Sequence, residues 1–337
     1  MQTESIFVYD KIKKGGQQML LSTFLIVVGF ILLIKGADFL VEGSSNIAKR
    51  FHIPEIIIGL TIVSIGTSMP ELFISTTSSI NGYSDMSIGN IIGSNVCNLL
   101  LILGLSAMIR PIKFQRETRL IEMPMCLIIT IIFMVFCNTS GTIQKSEALI
   151  LIILFVMFLV YTIIIGKNGE KFDKDEECLK IQTESKRISI IKETILIILG
   201  IIGLKIGGDL IVDNALIIAR QFNVSEKIIG LTILAIGTSL PELVTSVTAA
   251  IKGNSDIAIG NIIGSNIFNT LLIIGIAALI SPLAYNFTYN IQMAILIMAM
   301  LVLTLFPVIP PKNEMSRING AVYLILYLIY MVILFIV

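Results

Sequence analysis

The chain has 337 residues, 55% hydrophobic and 14% charged, with a net charge of +1 and a mean hydropathy of +0.93. A soluble domain carries about a quarter charged residues, so this composition excludes an ordinary water-soluble protein and places the chain in a bilayer. The four cysteines form no CxxC pair, and no basic block is present, so neither a zinc or disulfide framework nor nucleic-acid binding is supported.

Crossing about 30 Å of hydrocarbon takes roughly 20 apolar residues. Such runs are predicted at 19–47, 55–80, 85–109, 120–138, 144–166, 189–219, 226–251, 256–280, 287–307 and 317–337. Lys11, Lys13 and Lys14 before the first run resemble a leader peptide. That span ends in Asp38 and Glu42, however, and the sixth carries Asp209 and Asp213 at the matching positions, so the first span is expected to belong to the fold. The second span holds Ser64, Thr67, Pro70 and Glu71, and the third holds Asn90, Ser94 and Asn98 at successive i, i+4 positions.

The second and third spans then recur as the seventh and eighth. GLTIVSIGTSMPELFISTTSSINGYSDMSIGNIIGSNVCN begins at Gly59 and GLTILAIGTSLPELVTSVTAAIKGNSDIAIGNIIGSNIFN at Gly230, an offset of 171 residues with 26 of 40 positions identical. The second copy supplies Ala235, Thr238, Pro241 and Glu242, followed by Asn261, Ser265 and Asn269. If five spans carry each copy, an odd number of crossings separates equivalent residues, so the halves lie upside down relative to each other. The expected organisation is an N-terminal tail at 1–18, a first five-helix repeat at 19–166, a cytoplasmic linker at 167–188 and a second repeat at 189–337. One set of loops carries sixteen Lys and Arg and the opposite set six, which puts the first set in the cytoplasm and both termini outside. Asp173, Asp175, Glu177 and Glu184 in the linker fall at EF-hand-like positions. Cys178 stands where the tight turn needs glycine, so a solvated charged linker is the expectation.

A carboxylate at membrane depth is costly, and two at related positions call for a use. Pro70 and Pro241 each lack an N–H and displace the carbonyl one turn earlier, Gly66 or Gly237, so both helices are expected to break at the midplane. Each broken helix then presents a hydroxyl, a carboxylate and loose backbone oxygens. The GxxxG pairs Gly89/Gly93 and Gly260/Gly264 would bring the amide-bearing helices close. Asp85 and Asp256 read as helix N-caps, and Glu55 and Glu226 as first-turn residues that favour the helix dipole. His52, the only histidine, belongs to no HExxH motif, so enzymatic chemistry is not expected. Every converging group offers oxygen, which suits hard cations such as Ca²⁺ and Na⁺ rather than Zn²⁺ or Cu⁺.

GTSMPEL and GTSLPEL, each followed by GNIIGSN, resemble the paired signature repeats of the sodium/calcium exchanger family within the cation/Ca²⁺ exchanger superfamily, in its prokaryotic form. The resemblance implies an all-α polytopic membrane protein with ten helices in two inverted five-helix repeats and broken helices at the midplane. It also implies ion ligands at Ser64, Thr67, Ser68, Glu71, Ser94 and Asn98, and at Ala235, Thr238, Ser239, Glu242, Ser265 and Asn269, with Ser64 and Ala235 acting through backbone carbonyls. Relatives often carry aspartate where this chain has Asn269, so two carboxylates remain and the coupling stoichiometry is open. The implied function is antiport of Ca²⁺ against Na⁺ by alternating access, with no cofactor, in the cell membrane and as a monomer. Ca²⁺/H⁺ antiport, K⁺ dependence and a passive cation channel stand as alternatives.

Overall fold

The computed structural model describes residues 2–168, 189–222, 235–307 and 313–336, with side chains described for 18–165, 189–222, 236–307 and 313–334. Most of the predicted linker, including its EF-hand-like acids, lies outside them, as does the start of the seventh predicted span with Glu226. In chain order the helices are α1 (Gln2–Phe51), α2 (Glu55–Thr67), α3 (Met69–Ile80), α4 (Ser84–Ile109), α5 (Thr118–Ser140), α6 (Lys145–Asn168) and α7 (Ile190–Gln221). There follow α8 (Ala235–Thr238), α9 (Leu240–Lys252), α10 (Ser255–Ile280), α11 (Phe287–Leu305) and α12 (Arg317–Ile336). Among the described residues eight helices are long and apolar enough to span a membrane, and the bent pair α2 and α3 makes a ninth. The seventh predicted span, 226–251, is represented by α8 and α9.

The first helix begins at Gln2, inside the stretch read as an N-terminal tail. The all-α expectation is met except for two small clips. β1 (Ile112–Lys113) pairs antiparallel with β4 (Glu314–Met315), and β2 (Thr142–Ile143) with β3 (Leu283–Ala284). Each clip joins a loop of one half to a loop of the other.

Burial sorts the helices into two groups. In α4 and α10, 78% and 83% of the apolar window is buried within the protein, against 22–39% for the other six spanning helices. The two signature helices are therefore the centre, and the others turn one side to lipid. Between apolar helices in lipid there is little hydrophobic drive, so close backbone approach and interhelical hydrogen bonds decide the packing. α1 and α7 form a long antiparallel pair of this kind. A Cβ on Gly36 would lie 2.7 Å from the backbone nitrogen of Leu204 and 2.8 Å from the carbonyl oxygen of Gly200, so only glycine lets the two backbones meet there. The predicted GxxxG contact is present for Gly260 and Gly264, whose added Cβ atoms would each meet a carbonyl oxygen of α2, that of Ile56 or Leu60, at 2.7 Å. A Cβ on Gly89 would instead meet Tyr289 Oη at 2.8 Å, and the positions related by the repeat to Ile56 and Leu60, 227 and 231, lie outside the described residues.

Two sequence readings are corrected. Asp85 and Asp256 are not N-caps, because α4 and α10 begin one residue earlier, after Tyr83 and Asn254. Both aspartates sit in the first turn, where the helix dipole favours them, and Asp256 accepts a hydrogen bond from Gln115 Nε2. Asp38 and Asp209 are not at helix ends either, since α1 and α7 run on past them. Asp38 pairs with Lys252 at the end of α9, with Nζ to Oδ1 at 3.0 Å, whereas Asp209 pairs with Lys205 of its own helix at 2.8 Å.

Candidate functional site

The break between α2 and α3 falls at Ser68 (φ −85°, ψ 11°), with a 50° bend. Its counterpart between α8 and α9 falls at Ser239 (φ −88°, ψ 7°). Each proline occupies the first turn of the following helix, where its missing N–H costs nothing. The hydrogen-bond ladder restarts from the two serines, with Leu72 N to Ser68 O at 3.1 Å and Leu243 N to Ser239 O at 2.9 Å. Glu71 and Glu242 thus lie in first turns, near the positive end of a helix dipole.

Both glutamates are fully buried. Glu71 Oε1 accepts from Ser94 Oγ at 3.3 Å, and Ser94 Oγ accepts from Ser239 Oγ at 3.3 Å. Glu242 Oε1 accepts from Ser68 Oγ at 2.8 Å, and Ser68 Oγ lies 3.0 Å from Ser265 Oγ. The carboxylate of the second half is therefore bound to the break of the first. One chain of contacts holds Ser68, Glu242 and Ser265, and another holds Glu71, Ser94 and Ser239.

α4 and α10 contribute the amides. A π-helical stretch, Cys97–Ile102 in α4 and Asn269–Ile273 in α10, carries Asn98 and Asn269; such irregular turns recur at functional positions in helices. Asn98 Nδ2 donates to Asn266 Oδ1 at 3.1 Å, and Asn269 Nδ2 to Asn95 Oδ1 at 3.0 Å. Asn269 Nδ2 also reaches Ser94 Oγ at 3.3 Å. At this site Glu71 Oε2, Glu242 Oε2, Asn98 Oδ1 and Asn269 Oδ1 are buried acceptor oxygens with no hydrogen-bond partner among the described residues. They form two pairs related by the repeat.

The remaining predicted residues are less uniform. Thr67 is fully buried and shares its hydroxyl proton between Ser64 O at 3.3 Å and Asn261 Oδ1 at 3.1 Å. The Ser64 hydroxyl bonds its own helix at Leu60 O, 2.9 Å, and its carbonyl also accepts Ser68 N at 3.0 Å. Thr238 is only partly buried, and Ala235 begins α8. Asn90 and Asn261 hold Ser75 Oγ and Ser246 Oγ at 3.0 and 2.9 Å, again as repeat-related partners.

Sequence reasoning passed over three features. Asn95 and Asn266 end the GNIIGSN motif in both copies, but they lie off the i, i+4 stripe that drew attention to Ser94 and Asn98. Thr270, which accepts from Asn95 Nδ2 at 3.0 Å, has Leu99 as its repeat counterpart and so gave no duplicated signal. Glu122 of α5 is a further fully buried glutamate, accepting from Tyr161 Oη at 3.2 Å. Its place in the second half is taken by Met293, so the repeat does not reveal it. Among the described residues no group of three or more His, Cys, Asp or Glu forms a metal cluster.

The family pattern described as sodium/calcium exchanger protein matches residues 21–164 and again 192–336, once in each half. The chain belongs to the sodium/calcium exchanger family. It is accordingly a multi-pass membrane transporter and not an enzyme. This exchanger-family chain is 30% identical to sodium/calcium exchanger MaX1 of Methanosarcina acetivorans, over 94% of this chain and 99% of MaX1. It is 37% identical to inner membrane protein YrbG of Escherichia coli, over 82% of this chain and 87% of YrbG. Its fold matches that of the sodium-calcium exchanger NCX_Mj soaked with Na⁺ and Ca²⁺, with a TM-score of 0.80 and 34% identity, covering 93% of this chain and 98% of that one.

Proposed function

We propose that the chain is a secondary antiporter that exchanges Ca²⁺ for Na⁺ at one site shared by its two halves. The observation that carries this reading is the set of buried acceptor oxygens on Glu71, Glu242, Asn98 and Asn269 that have no hydrogen-bond partner among the described residues. Burying acceptors without donors is costly, and a hard cation satisfies all of them at once. The hydroxyls of Thr67, Ser68, Ser94, Thr238, Ser239 and Ser265 and the carbonyls of Ser64 and Ala235 complete the proposed ligand set. For Ser64 this requires Thr67 to turn its hydroxyl toward the ion, which releases a lone pair on the carbonyl.

Two carboxylates without counter-charge in a low dielectric cost several kcal/mol per ion, so the site is expected to change faces only when loaded. One Ca²⁺, or Na⁺ in its place, supplies the counter-charge. Because both ions need Glu71 and Glu242, they compete, and competition at an alternately exposed site is antiport. The kinship with MaX1, itself a sodium/calcium exchanger, supports the choice of ions. The excess of basic residues in one set of loops supports placement in the cell membrane with both termini outside.

Radiolabelled Ca²⁺ uptake into proteoliposomes driven by an outward Na⁺ gradient tests the reading. Glu71→Gln and Glu242→Gln are each expected to reduce uptake to background, and wild-type uptake in either variant would overturn the shared site. Uptake that ignores Na⁺ and follows a pH gradient would instead establish proton coupling.

A further inference from the structure

An asparagine that binds a cation can be the wrong way round. Its oxygen and nitrogen ends are nearly equal in size, and the NH₂ end repels positive charge, so something must set the amide. Neither Asn98 nor Asn269 makes that choice itself. In each case the donor end is occupied by an acceptor on the opposite half of the molecule, Asn266 Oδ1 for Asn98 at 3.1 Å and Asn95 Oδ1 for Asn269 at 3.0 Å. Those acceptors are fixed in turn. Asn95 Nδ2 donates to Thr270 Oγ1 at 3.0 Å and approaches Asn266 O at 3.5 Å, while Asn266 Nδ2 reaches Asn95 O at 3.4 Å. Asn95 and Asn266 are 2% and 3% exposed, so water does not compete for these bonds. With its NH₂ group held, each ligand amide is left with an oxygen that has no partner among the described residues.

We propose that Asn95 and Asn266 are positioning residues that hold the amides of Asn269 and Asn98 with oxygen toward the transported ion, an assignment that rests on reading Asn98 and Asn269 as ligands. Each half thereby sets the ligand of the other. The role differs from simple packing in one respect, because it matters only while the ligand is an amide. A carboxylate presents oxygen whichever way it turns and has no proton to give to residue 266 or 95.

The test is a pair of mutant cycles read by the apparent KM for Ca²⁺ in the proteoliposome assay. Asn266→Leu is expected to raise KM about tenfold, the effect typical of losing a group that orients an ion ligand. In an Asn98→Asp background the same change is expected to alter KM by less than about twofold, because the coupled partner is gone. Thr270→Val, nearly isosteric and less demanding of the fold, removes the acceptor that fixes Asn95. It is expected to raise KM roughly threefold, and to lose that effect in an Asn269→Asp background. If Asn266→Leu does not yield folded protein, the Thr270→Val cycle decides. An unchanged KM in these variants, or an equal penalty in the Asn and Asp backgrounds, would overturn the positioning role and leave only packing. Full transport by Glu71→Gln would instead overturn the site reading itself, so the two failures are distinguishable.

Discussion

Ser68 occupies the break in one half and serves the carboxylate of the other, donating to Glu242 Oε1 at 2.8 Å. A hydrogen bond to a charged group is worth about 1.5–3 kcal/mol. Ser68→Ala is therefore expected to raise the apparent KM for Ca²⁺ by about tenfold or more, measured in the same uptake assay, and an unchanged KM would remove Ser68 from the site. At this scale much was legible in the sequence, because a glutamate after a proline in an apolar run has few bland explanations and the duplication removes most of them. What could not be read was the direction of each side chain. The hydroxyl of Ser64 turns to its own helix and that of Ser68 crosses to the other half, although both are serines on the same broken span. Glu122 and Thr270 carry no duplicated signal, since their counterparts are Met293 and Leu99.

Among the elements, the pair α1 and α7 depends on backbone contact at Gly36. Overfilling a packed interface costs about 1–3 kcal/mol even where side chains can yield. Here the obstruction is the backbone nitrogen of Leu204 and the carbonyl oxygen of Gly200, which cannot rotate away. Gly36→Val is expected to lower thermal stability in detergent by roughly 3 kcal/mol or more, with Gly36→Ala intermediate, as followed by loss of the monodisperse peak on heating. A wild-type melting profile for Gly36→Val would show that the helices are free to separate. The spans themselves were readable to within a few residues, since hydropathy and length are strong signals in lipid. The caps expected at Asp85 and Asp256 lie two residues earlier, at Tyr83 and Asn254, because neither helix start is fixed by a side-chain cap hydrogen bond and the preference of aspartate for that position does not decide it. The breaks were placed at the prolines on chemical grounds. They lie two residues earlier because proline fits a first helical turn and the preceding serine absorbs the irregular dihedrals.

On the scale of the whole molecule, inversion follows from counting crossings and sidedness from basic loops, and the sidedness is open to test. Cys97, Cys126 and Cys137 are buried, so a Cys178→Ser background should be silent to a membrane-impermeant maleimide. In that background Ser140→Cys is expected to react in intact cells, and Lys113→Cys only after permeabilisation. The reverse pattern would turn the protein over in the membrane. The two-residue clips were not foreseen, because they join loops remote in sequence and carry no periodic signal. The asparagine contacts at the centre bear on the history of the chain. Residues 95 and 98 of one half meet positions 266 and 269 of the other, and the same bond is made once in each direction. Two copies of a single unduplicated half, inserted in opposite senses, could close both bonds without any new side chain. A gene encoding one half would already specify this junction, and fusion would only tie the ancestral partners together.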